Sequence, residues 1–149
     1  MPLLSADDIR AYTKDNSELN ILLEGELQSG DELIDLAMRL SVEDFNAQAP
    51  VTNYNTDNFP NTTILLYGVL HHLTNSEAER QLRNQVNYNA QGLQAGIDDK
   101  HQVYNQLAQY YKQMFEQKMQ EFKRFLNQEE AWGNIPSPYS TLNQYKYRS

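Results

Sequence analysis

Cysteine is absent from the 149 residues, which excludes disulfides, thiolate catalysis and Cys-ligated zinc and suits a reducing compartment. Histidine is scarce: His71, His72 and His101 are the whole supply. Neighbouring histidines on a helix point in different directions, so His71 and His72 make a poor metal clamp. None of the three fits a Ser/His/Asp order built on a glycine-rich elbow. A Walker loop, a dinucleotide fingerprint and an EF-hand loop are all missing. Asp98 and Asp99 are drawn more naturally as caps at a helix start than as a general acid and base, because no third group stands beside them. Residue chemistry therefore names no reaction, and no catalytic residue, metal or cofactor is expected.

Long apolar runs are lacking too. The longest, Ile64 to Leu70, falls well short of the ~18 residues of a membrane span. Met1-Pro2-Leu3-Leu4 is followed by Asp7 and Asp8 before an apolar signal region forms. The expectation is a soluble chain made in the cytoplasm, with no membrane partner. Positive charge is also in short supply, with 12 Lys and Arg against 20 Asp and Glu and a net charge of -8. The imbalance is concentrated in residues 1–60, where twelve acids face only Arg10, Lys14 and Arg39. Such a surface repels nucleic-acid phosphates and disfavours sequence reading. An ordinary solvated face is the plainer account of those carboxylates. Facing a central hole in a ring, they would instead let a polyanion slide past.

What is present is helical pattern. From Asp98 to about Gln128, Val103, Leu107, Tyr111, Met114, Phe115, Met119, Phe122, Phe125 and Leu126 recur mostly at steps of three and four, as an amphipathic helix requires. A rod of about thirty residues is roughly 45 Å long, longer than a domain of this size needs, and the excess points to a partner. Lys112, Lys118, Lys123 and Arg124 are interleaved with glutamates and read as a solvated face.

Earlier in the chain, Ser5 and Asp8 form the ends of a capping box for a short helix that stops near Lys14. Leu19, Ile21, Leu22, Leu23 and Leu27 are poorly periodic and are expected to pack under the next helix. That helix is capped by Asp31 and ends by Ala49, ahead of Pro50. Pro50 to Pro60 is dense in turn formers and reads as an ordered loop. Asn61 or Thr62 then caps a third helix, apolar nearly all round and hence central. Gly68 in its middle costs about 1 kcal/mol against alanine, so close packing against another helix is the expected compensation. Ser76 starts a continuation through Val86, and Tyr88 to Ile97 reads as an extended crossover or small hairpin. The fold class is all-α: a small helical bundle with one long C-terminal helix, an extended crossover before it and an extended C-terminal arm.

Residues 1–131 form the helical domain and 132–149 the arm. Terminal segments usually fray, but Trp132, Ile135, Pro136, Pro138, Tyr139, Tyr145 and Tyr147 offer the aromatic and apolar contact area found where one protein grips another. A docked arm and a mobile one are both open on this reading.

Several short stretches, taken in order, carry a resemblance. They are Glu18-Leu19-Asn20-Ile21-Leu22-Leu23-Glu24-Gly25, Asp44-Phe45-Asn46, Phe59-Pro60 and Leu65-Leu66-Tyr67-Gly68. Asn87-Tyr88-Asn89 before Gly92, Ile97-Asp98-Asp99-Lys100 and Pro136-Ser137-Pro138-Tyr139 complete the set. Together they resemble the neck proteins of tailed bacteriophages, in particular head-to-tail connector (adaptor) proteins. The resemblance implies an all-α virion subunit in a homo-oligomeric ring, commonly twelve-fold. The ring docks beneath the portal protein, is followed by a tail-side neck or tail terminator protein, and passes genome DNA without sequence-specific binding. It implies no catalytic residues. On this view the arm binds portal or an adjacent subunit, and Tyr54, Phe59, Tyr88, Leu93, Tyr104 and Tyr111 are expected at subunit contacts. The alternative is a helical protein-binding or regulatory module that forms a small oligomer. The crossover from Asn87 to Ile97 is longer than a simple helix-to-helix turn and departs from the connector pattern.

Overall fold

The computed structural model describes residues 4–20, 24–89 and 100–132. Four helices make up its regular structure: α1 (Ala6–Thr13), α2 (Asp31–Ala47), α3 (Thr62–Asn89) and α4 (Lys100–Trp132). The fold is all-α, and the long C-terminal helix is its largest element. Tyr88 and Asn89, expected to open the crossover, instead end α3, and Trp132, expected to open the arm, instead ends α4, because both helices run on past the points where their apolar period weakens. The rest of the crossover, with Asp98 and Asp99, and the arm from 133 onward lie outside the described residues.

Local chemistry sets the helix starts. Ser5 Oγ accepts from the Asp8 amide at 3.2 Å, and the Asp8 carboxylate accepts from the Ser5 amide at 2.9 Å, closing the capping box before α1. Asn61 Oδ1 takes the amides of Thr63 and Ile64 at the head of α3. For α2 the expectation needs correction. Gly30 holds the N-cap position without a side-chain bond, and Asp31 is the first helical residue, its carboxylate drawn to the Arg10 guanidinium. An acid still suits that first turn because of the helix dipole.

α3 and α4 run antiparallel. His71 Nδ1 meets the Ala108 carbonyl at 3.0 Å and His101 Nδ1 meets that of Ala78 at 2.9 Å, while the rings of Tyr67 and Tyr111 lie 6.2 Å apart. As the pairing climbs α3 it descends α4. α2 packs across α3, so α3 is central as its all-round apolar character predicts. The shared core takes Ile34, Met38 and Phe45 from α2, Ile64, Leu65 and Val69 from α3, and Phe115 and Met119 from α4. Gly68 sits where the three meet. A Cβ there would lie 2.8 Å from both Cβ and Oγ of Ser41 and 3.0 Å from the Phe115 ring, so only glycine lets α2 and α4 close on this turn of α3.

The stripe on α4 is displaced from the one expected. The side facing the bundle is His101, Tyr104, Ala108, Tyr111, Phe115, Met119, Phe122 and Lys123, whereas Val103 is 65% and Phe125 53% exposed. Lys123 departs furthest, being 2% exposed rather than solvated. α4 is long enough to pass the start of α3 and reach the loop at 48–61, and there Lys123 Nζ donates to the Pro50 carbonyl and Thr52 Oγ1, both at 2.8 Å. It also sits 4.3 Å from the centre of the Phe45 ring. The loop is ordered, as expected. Asn46 ties it to α2 by accepting from Tyr54 N and Thr52 Oγ1 and donating to the Tyr54 carbonyl.

Two further readings change. Leu19 and Leu27 are exposed rather than packed beneath α2, while Ile21, Leu22 and Leu23 lie outside the described residues; a short turn at 16–20 and the Asp15 carboxylate organise the described part of this segment. That carboxylate takes the amides of Gln28 and Ser29 and the Asn20 side chain. Burial pushes its pKa up, but those donors and the charge of Arg10 outweigh it and hold it below the usual value. Ser76 caps nothing, because α3 runs unbroken past it to Asn89.

Candidate assembly surface

A cleft of about 300 Å³ opens where the end of α1, the middle of α3 and the first half of α4 converge. Tyr12, Tyr104 and Tyr111 wall it, Leu33, Leu70 and Leu73 give it an apolar floor, and Asp15 and Glu77 supply its charge. The lining holds no lysine, arginine or histidine. Glu77 is nearly buried and accepts from Arg80 at 2.9 Å and Gln81 at 2.7 Å. Both carboxylates are thus held by bonds within the fold, and no nucleophile is paired with a base. The cleft thus presents aromatic walls, an apolar floor and two carboxylates already engaged within the fold.

Beside the cleft, α4 carries a second apolar line. Val103, Leu107, Tyr110 and Met114 recur at steps of four, three and four, a heptad spacing that places them on one side of the helix. Val103 is 65%, Tyr110 51% and Leu107 38% exposed, so this line faces out while the first faces α3. Gln106, Gln113 and Gln117 flank it. α2 exposes Leu36 and Leu40 on the side away from the core, whereas Leu33 is half-buried against the core and the cleft.

The structure separates the residues expected at subunit contacts. Phe59 is 3% exposed, with its ring 4.8 Å from that of Phe45, so it is a core residue and not a surface contact. Tyr54 turns the same way, half-buried against Phe45 and Phe59. The loop folds onto α2 through Asn46, which draws both rings inward. Tyr104 and Tyr111 do share one site, the cleft, where the Tyr104 hydroxyl lies 3.5 Å from Gln28 Nε2. Tyr88 belongs to the last turn of α3 and Trp132 ends α4. Leu93, Ile135, Pro136, Pro138, Tyr139, Tyr145 and Tyr147 lie outside the described residues. Sequence reasoning missed the cleft, whose lining comes from three helices that no local pattern joins.

No family model, curated protein or solved structure matches the chain. Among the described residues, no group of three His, Asp or Glu could hold a metal, and no helix is long and apolar enough to cross a membrane.

The histidines have structural partners. His71 and His101 bond backbone carbonyls of the facing helix, and His72 Nε2 lies 3.2 Å from Asp44. A carbonyl only accepts, so the Nδ1 atoms of His71 and His101 carry protons and donate. Burial lowers the His71 pKa, and the Ala108 carbonyl, which raises it, does not compensate. The unfolded chain therefore takes up this proton first on acidification, and stability falls as pH drops through about 6.5 towards the lower folded value. Denaturant midpoints between pH 8 and 5 are expected to show that fall in the natural chain, and His71→Gln is expected to reduce it. An unchanged slope would show that other groups govern it.

Proposed function

We propose that this chain is a structural subunit of the neck of a tailed bacteriophage, repeated around an axis into a ring that joins the portal protein to the tail. The single observation that carries the reading is the outward apolar line on a 33-residue helix, surface that one copy alone leaves wet. Such an exposed line beside a polar rim is what a repeated interface uses. The resemblance of the short stretches to connector proteins supplies the setting. In that setting the arm beyond Trp132 holds portal or the next subunit, and the tail-side neck or tail terminator protein follows below. Genome DNA passes through the ring, and the net negative charge keeps it from sticking.

Electron micrographs of concentrated protein, alone and with portal, are expected to show closed rings of one symmetry. A small fixed dimer by light scattering, unchanged by portal, would overturn the reading. The cleft favours a second reading, a helical module that binds a partner's basic side chain. That reading predicts a one-to-one complex and no ring.

A further inference from the structure

We propose that the cavity between the end of α2 and the second half of α4 binds a compact oxyanion of the phosphate class. The cavity measures about 230 Å³ and is lined by Gln48, Ala49, Gln120, Lys123, Arg124 and Asn127. Its walls therefore hold two cations, three amides and a methyl group, and no carboxylate. Every one of these groups belongs to one protomer, so the site does not depend on the ring.

Lys123 carries the argument. A buried charge is ordinarily matched by an opposite one, yet Lys123 is 2% exposed and its acceptors are the neutral Pro50 carbonyl and Thr52 hydroxyl. An ammonium has three protons to donate, and the third finds no acceptor among the described residues. Arg124, next in the chain and exposed, makes no hydrogen bond or ion pair among the described residues. The acids on neighbouring turns are directed elsewhere. Glu116 faces Lys112 at 3.9 Å, Glu121 accepts from Gln117, and Asp44 meets His72. Glu43 and Glu130 are exposed and pair with neither cation.

Two adjacent cations, one of them desolvated, with amide donors around them suit a group that accepts several charge-assisted hydrogen bonds at once. Phosphate is such a group. Bound there, it would supply the counter-charge that Lys123 lacks and tie the end of α2 to α4. The net charge of -8 repels an extended polyanion, which selects a free phosphate over a nucleic-acid backbone.

The test is a titration of the full-length chain with inorganic phosphate at constant ionic strength, chloride being the balancing salt. Calorimetry is expected to show one saturable site, and the thermal midpoint should rise with phosphate but not with chloride. The side-chain amide signals of Gln48, Gln120 and Asn127 should shift together in NMR spectra. Arg124→Gln, a surface change, should weaken binding by about tenfold or more, the scale of a lost charged hydrogen bond. Lys112→Gln, elsewhere on α4, should bind as the natural chain does. Equal responses to phosphate and chloride would overturn the proposal and leave Lys123 solvated by the loop alone. Binding that Arg124→Gln leaves unchanged would put the anion elsewhere and overturn it as well. A short single-stranded oligonucleotide that binds more tightly than phosphate, and loses that binding in Arg124→Gln, would replace the compact anion with a nucleic-acid backbone.

Discussion

Gly68→Ala is expected to lower the denaturant midpoint and cost a net of up to about 2 kcal/mol, the overpacking penalty less the helix gain. On an exposed helix the change would stabilise by about 1 kcal/mol, because alanine is the better helix former. Here the added methyl meets Ser41 Cβ and Oγ at 2.8 Å and the Phe115 ring at 3.0 Å. Ser41 has nowhere to turn, since its side chain is fully buried and its hydroxyl donates to the Ala37 carbonyl at 2.7 Å. The three helices must therefore part slightly along the whole core. Gly68→Leu is expected to cost more still. Ser41→Gly removes both of the closest atoms, so the alanine should be less harmful in that background than in the natural one. A double-mutant cycle with strong coupling is the expected result. A Gly68→Ala midpoint equal to or above the natural one would show that the contact yields.

Lys123→Ala is expected to destabilise by about 2–4 kcal/mol, the scale of a lost charged hydrogen bond together with the buried stem. All three groups around the ammonium are neutral, a carbonyl, a hydroxyl and a ring face, so the charge is solvated by the loop rather than paired. Lys123→Met keeps much of the stem and should recover part of the loss, leaving the Pro50 carbonyl without this donor. The pH dependence gives a separate readout. Burial lowers the Lys123 pKa from its ordinary 10.5, so between the folded value and 10.5 the unfolded chain binds more protons and stability gains with rising pH. The difference between the natural chain and Lys123→Met should carry that gain. Equal midpoints for the natural chain and Lys123→Ala would make this side chain a passenger.

The same two residues mark what could be read from the sequence. A glycine within an apolar helix costs too much to be idle, and that reasoning alone predicted a close helix crossing at Gly68. Capping at Ser5 and Asn61, the all-α class and the long last helix were legible for similar reasons, since each depends on residues a turn apart. Lys123 was not legible. Its burial depends on a loop more than sixty residues earlier curling back under α4, and a lysine flanked by Arg124 and glutamates carries no local sign of that. Phe59 was misplaced for the same reason, because Asn46 and the Phe45 ring draw the loop inward. The outward line on α4 was concealed by its neighbour. Two apolar seams about a third of a turn apart merge, in sequence, into one broad stripe, and only the position of α3 shows which half is spent.

The two histidine contacts between α3 and α4 bear on how the protein would carry load. Each ties a side chain to a fixed carbonyl on the opposite helix, and they lie about two turns apart along the pair. Sliding one helix past the other by a single turn, about 5.4 Å, would break both together and drive Phe115 out of the notch at Gly68. Tension or compression directed lengthwise would thus be met in shear by several contacts at once, and the helix pair would behave as a strut.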